Sequence, residues 1–169
     1  MLKFSDNKFM SEKYRETINI WDSFCSLHSI LFEKTCDEYM ALLASDIDKV
    51  QEILQEKEKV VSQIQVLESK RSNLIDELNS ELDNKIKTAS DLILTMKKFE
   101  SKNSSDLLNR LNLLLIDIIE KIQDQNKKNQ LFLNKAILSL KEMRLNLASE
   151  KRYDTYTAKG TAQTNYMRG

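Results

Sequence analysis

The sequence predicts an all-α fold: a long antiparallel helical bundle or coiled coil of three main helices, with room for an extra short helix. Three observations carry that reading. Glycine occurs 2 times in 169 residues and proline never, so almost nothing interrupts a helix. Leu, Lys, Glu, Asn, Ser and Ile dominate, a composition suited to long helices joined by short polar turns. From Ser105 to Leu147 apolar residues recur at helical spacing over about 65 Å of helix, far more than a small globular core needs.

The first ten residues are polar with scattered aromatics, and 1–10 reads as a flexible N-terminus. A helical period begins near Ser11. Trp21, Cys25, His28, Phe32, Tyr39 and Leu42 form one row and Ile20, Phe24, Leu27 and Leu31 the next, a face wide enough for two neighbours. With Trp21, Phe24 and Phe32 to bury, this should be the most buried helix. Ser45, followed three residues later by Asp48, resembles a capping box and places the turn into the second helix.

The second helix runs through Ile47, Val50, Leu54, Val61, Ile64, Leu67, Leu74 and Leu78, with charged residues such as Glu52, Glu56, Lys59 and Arg71 on its flanks. That is the pattern of a solvated antiparallel coiled coil. Asn79-Ser80 and Asp83-Asn84 are weak helix formers and mark 79–84 for a kink or short break, after which Leu82, Ile86, Ala89, Ile93 and Met96 resume the stripe. Ser104 or Ser105 is the expected N-cap of the third main helix.

That third helix carries Leu108, Leu111, Leu115, Ile118 and Ile122, then Asn126 and Asn129, then Leu133, Ile137, Leu140 and Leu147 on one face. Two amides sit where leucines are expected. An amide in an apolar seam costs stability unless it finds a partner, so the pair favours one register over others. Beyond Ala148 no Leu, Ile or Val appears, and 149–169 reads as a flexible tail attached to a helical domain of residues 11–148. Tyr153 and Tyr156, near the tail's start, dock back on the bundle, present a recognition element or are plainly disordered with the rest of the tail.

Several function classes lose ground. Acidic and basic residues balance at 26 each, giving no field that would draw the chain onto nucleic acid. No apolar run reaches the roughly 18–20 residues of a membrane span and Met1–Asp6 lacks a secretory apolar region, so a cytoplasmic protein with no membrane insertion is expected. Cys25 and Cys36 lie eleven residues apart on one helix, too far to bridge, and with His28 they fall short of a structural zinc set. One histidine and no glycine-rich phosphate loop leave no catalytic, metal or cofactor residues to assign.

Specific stretches point further. Leu42-Leu43-Ala44-Ser45-Asp46-Ile47-Asp48, continuing to Leu54-Gln55-Glu56-Lys57, resembles the turn between the first two helices of FlgN-type flagellar export chaperones. Ile119-Glu120-Lys121-Ile122, then Asn126-x-x-Asn129-x-Leu131-Phe132-Leu133, is similar to that family's paired asparagines and following apolar cluster. Tyr153-x-x-Tyr156-x-x-x-Gly160 lies where the family often has a short Tyr-x-x-x-Gly tail. These stretches are co-linear over about residues 25 to 160. The chain departs in having Ser45 where a glycine often precedes the Asp, an extended polar N-terminus, and a longer tail.

The resemblance implies a cytosolic, ATP-independent chaperone of hook-associated (FlgK/FlgL-type) proteins. Such a chaperone holds an amphipathic terminal helix of the client and delivers it to the flagellar type III export gate or its ATPase complex. Client contact is then expected along Leu111, Leu115, Ile118, Ile122, Asn126, Asn129, Leu133, Ile137 and Leu140, with Tyr153 and Tyr156 as tail recognition residues. A homodimer is compatible with this reading. The competing reading is a structural coiled-coil scaffold or stalk-like component whose third helix is satisfied by self-association.

Overall fold

The computed structural model describes residues 4–82, 85–100, 106–150, 155–156 and 162–163. Four helices follow in order: α1 (Phe4–Leu43), α2 (Ile47–Glu81), short α3 (Ala89–Lys97) and α4 (Leu107–Glu150). Beyond α4, β1 (Thr155–Tyr156) pairs antiparallel with β2 (Ala162–Gln163). The chain forms two units, Met1–Lys128 and Asn129–Gly169, and α4 runs from the first into the second. The helical bundle of three main helices and a short extra one is as the sequence predicts.

In the first unit α1 and α2 form an antiparallel hairpin held by a heptad seam. On α1 the inward positions are Met10, Tyr14, Thr17, Trp21, Phe24, Thr35, Glu38 and Leu42, all buried and all on one alternating three-and-four spacing. Thr17 and Thr35 are fully buried because each hydroxyl donates to a carbonyl one turn back, Lys13 O and Leu31 O, both at 2.7 Å. The α2 side is Ile53, Val60, Leu74 and Leu78, with Ile64 and Leu67 half-buried. Ion pairs fix the register independently: Lys13 meets Glu77 and Lys34 meets Glu56. The lysines are three heptads apart on α1 and the glutamates three heptads apart, in the opposite sense, on α2.

Three local expectations shift. The helical period suggests a start near Ser11, but α1 begins at Phe4 and Met10 is buried in the main core. Ile47, Leu54 and Val61 are exposed at 63%, 43% and 40%, because in its first half the buried stripe of α2 runs one residue earlier, through Ile53 and Val60. The N-cap of α2 is Asp46 rather than Ser45: its carboxylate accepts the Lys49 N–H at 3.0 Å, while Ser45 takes a left-handed conformation (φ 55) that closes the turn. Asp46→Ala should therefore destabilise by about 1 kcal/mol, read as a lower urea midpoint with unchanged slope.

The break after α2 has its own fastening. Asn79 Oδ1 accepts the Ile86 N–H at 2.7 Å and its Nδ2 donates to Ile86 O at 3.0 Å, so the side chain mimics a strand partner for the returning backbone. Ile86 is thereby seated in the core. Thr88 and Asp91 then form a reciprocal capping box that starts α3, and Leu92, Ile93 and Met96 complete the core beneath Trp21, Leu74 and Leu78. Asp83 and Asn84, named with this break, lie outside the described residues.

Glu100 ties α1 to the first turn of α4. Its Oε1 accepts the Leu107 N–H at 2.7 Å, serving the first turn of α4, and also the Tyr14 hydroxyl at 3.1 Å. The expected caps Ser104 and Ser105 lie outside the described residues, and Asp106 (φ 61) holds the N-cap position, accepting the Arg110 N–H at 3.0 Å. Burial, reinforced by the Glu100 carboxylate, pushes the Tyr14 phenol up to about 12. Because the folded value lies above the unfolded one, this contribution is intact below about pH 10 and is lost as pH rises towards 12. Urea titrations across that range should show Tyr14→Phe losing less stability with pH than the parent. Parallel curves would mean that Tyr14 ionisation does not couple to folding.

Candidate docking surface

The predicted interaction stripe on α4 divides into three parts. Leu111 and Leu115 are half-buried against the core, and Ile118 and Ile122, each 8% exposed, form a small cluster with Cys25, Leu31 and Phe32 of α1. Trp21 Nε1 donates to Asn112 Oδ1 at 3.1 Å, and the Cys25 thiol donates to Leu111 O at 3.4 Å. This half of the stripe is occupied by the chain's own α1. Burial also pushes the Cys25 thiol up, away from nucleophilic use.

The polar notch has a counterpart. Lys57 occupies a seam position of α2, where the heptad expects an apolar residue, and its Nζ donates to Glu38 of α1 at 2.6 Å; the side chains are 16% and 11% exposed. The same ammonium makes a long contact, 3.5 Å, to Asn126 Oδ1 on α4. An apolar residue at 126 would face a desolvated ion pair, which gives the amide a physical reason. Asn126 is exposed, whereas Asn129, in the second unit, is 3% exposed, so the two amides are not equivalent. The sequence missed Glu38 and Lys57 because each reads as an ordinary flank charge; the signal lay in Lys57 falling seven residues before Ile64 and four after Ile53.

Within the second unit the stripe opens to solvent. Leu133 is half-buried, Ile137 and Leu140 are 48% and 65% exposed, and Met143 and Leu147 are each 60% exposed. Leu140, Met143, Leu147 and Ala148 form a continuous exposed apolar strip on this face, with Arg144 beside it. Leu131, Leu138 and Leu145 are exposed as well, and successive 100° steps put them on the opposite side of the helix. Such a density of exposed leucine on one helical segment is unusual for a surface with no partner. Of the tail residues, Tyr153 lies outside the described residues, and the Tyr156 backbone pairs with Ala162.

A groove lies between α1 and α2, about 460 Å³, lined by residues that include Leu27, Val66 and Leu67 with Asp22 and Lys70 at its edge. His28 and Cys36, the other members of the rejected zinc reading, are not drawn together: His28 Nδ1 sits 2.7 Å from Phe24 O and Cys36 is half-buried. Among the described residues no group of three or more His, Cys, Asp or Glu is placed to hold a metal. No helix among them is long and apolar enough to cross a membrane.

A family model described as FlgN protein matches residues 10–164. No curated protein and no solved structure matches the chain.

Proposed function

The chain belongs to the FlgN family of flagellar export chaperones, and from that premise we propose that it is a cytosolic, ATP-independent chaperone of hook-associated proteins. Its exposed distal α4 receives an amphipathic terminal helix of the client, shields that helix from aggregation, and leaves the client competent for delivery to the type III export apparatus. The single observation that supports this reading is the apolar row Ile137, Leu140, Met143 and Leu147, exposed on the same helix face whose earlier members, Ile118 and Ile122, are buried. Burying each such side chain is worth roughly 1.5–3 kcal/mol before the costs of association are met. An i, i+3, i+4 row of this kind fits the apolar face of another helix.

The test is a titration of the intact protein with the terminal segment of a hook-associated protein, read by light scattering after gel filtration. Ile137→Lys/Leu140→Lys should weaken the complex at least tenfold while leaving the far-ultraviolet helical signal unchanged, because both side chains are already exposed. No complex with the parent protein at tens of micromolar would remove the chaperone reading and favour a structural coiled-coil role.

A further inference from the structure

Leu131, Leu138 and Leu145 are 60%, 58% and 69% exposed and recur at strict heptad spacing along one side of α4. Leu138 stands roughly 160–180° around the helix axis from Leu140 and Leu147, so a helix laid on the Leu140 face leaves this row open. The charges beside the row are ordered. Lys135 and Glu142, both exposed, share one flank of it, each within about 60° of Leu138 around the axis. Along the axis about 10 Å separates them, and neither has an opposite charge three or four residues away on α4. Lys141 lies on the other flank, and Arg144 belongs to the Ile137 side.

A second copy of the same helix, laid antiparallel with Leu138 on the two-fold axis, answers this pattern. Leu131 then faces Leu145 of the other copy, Leu138 faces Leu138, and Leu145 faces Leu131. The two-fold brings like flanks together, so Lys135 of each copy stands one residue's rise from Glu142 of the other. Two symmetric ion pairs bracket the central leucine. On the opposite flank Lys141 comes beside Asn134 of the other copy, an uncharged amide. Other arrangements fail on the same residues. A parallel pair sets Lys135 beside Lys135 and Glu142 beside Glu142. An antiparallel pair slid by one heptad loses a leucine contact and brings together either the two Lys135 ammoniums or the two Glu142 carboxylates.

We propose that the Leu131–Leu138–Leu145 row is a self-association surface, closing an antiparallel dimer of two α4 helices in which Lys135 and Glu142 fix direction and register. The pairing does not depend on the client reading, and it leaves Leu140, Met143 and Leu147 of both copies uncovered. Three leucines from each copy make an interface at the small end of specific ones, so the dimer forms at micromolar rather than nanomolar concentration. Its ion pairs lie at the rim, so added salt loosens it.

Sedimentation velocity of the intact protein from about 1 to 200 µM, at low and high salt, tests the pairing. The expected result is a monomer–dimer equilibrium, weaker at high salt, that Leu138→Ser weakens at least tenfold. The far-ultraviolet helical signal should not change, because Leu138 is exposed. Lys135→Glu and Glu142→Lys should each weaken the dimer roughly tenfold, since either reversal sets like charges together twice, and Lys135→Glu/Glu142→Lys should restore it. A parent that stays monomeric at the top of that range overturns the pairing and leaves the row to a foreign helix. A dimer that Leu138→Ser does not weaken lies elsewhere on the molecule and overturns it too. A dimer lost with Leu138→Ser but indifferent to both charge reversals, or not restored by the double exchange, overturns the antiparallel register.

Discussion

Trp21→Ala should cost about 3–5 kcal/mol, the largest loss expected from a single apolar truncation in this protein. Trp21 is 1% exposed, stands edge-on to Phe24 with ring centroids 6.1 Å apart, and belongs to the main core with Leu74, Leu78, Leu92 and Met96. Its removal leaves a cavity where α1, α2 and α3 converge and deprives Asn112 of its indole donor. Trp21→Phe separates the two effects: it retains most of the packing and should cost about 1–2 kcal/mol. Chemical denaturation followed by circular dichroism is the measurement, because the variant lacks the only tryptophan. Against a total stability of about 5–15 kcal/mol typical of such chains, the alanine variant should be partly unfolded at physiological temperature. A loss below about 1 kcal/mol would contradict the core described above.

Lys57→Met should be nearly as damaging on its own, at about 3 kcal/mol, and its damage should be reversed by a second change. The single variant leaves the Glu38 carboxylate, 11% exposed, without the ammonium 2.6 Å away. The double variant Glu38→Met/Lys57→Met removes both charges and fills the seam with apolar volume, so its stability should return to the parent's or exceed it. The cycle therefore has a coupling term of opposite sign to the single losses. Additive losses would mean that the pair is solvated and energetically ordinary, contrary to its burial. The double variant should also tolerate Asn126→Leu, which in the parent places an apolar side chain against a charged pair.

Much of this fold was legible because helical periodicity survives without an alignment. Trp21, Phe24, Leu74 and Leu78 were readable as core from spacing alone, and they are. In the first half of α2 the sequence cannot set the phase, because Leu54 and Val61 look as apolar as Ile53 and Val60; only the position of α1 decides between the two rows. The cap at Asp46 was blurred by Ser45, since either residue suits an N-cap and the left-handed φ of Ser45 is invisible in sequence. Asn79 was legible as a poor helix former, but not as the residue that holds Ile86 by two hydrogen bonds.

On α4 the sequence joined into one site what the structure separates: Ile118 and Ile122 are covered by α1, whereas Ile137 and Leu140 are open. Both halves obey the same period, so composition could not tell the occupied part from the free one. Leu131, Leu138 and Leu145 fall outside the one stripe that the helical period traces, and their exposure is not legible in the sequence.

Amide hydrogen exchange of the intact protein, with and without the hook-associated terminal segment, tests most directly whether the client binds on distal α4. Exchange should slow across residues 131–147 on binding, while the amides of Trp21 and Leu78, already protected in the core, change little. Slowing confined to the α1–α2 groove around Leu27 and Leu67, with 131–147 exchanging as fast as in the free protein, would contradict it.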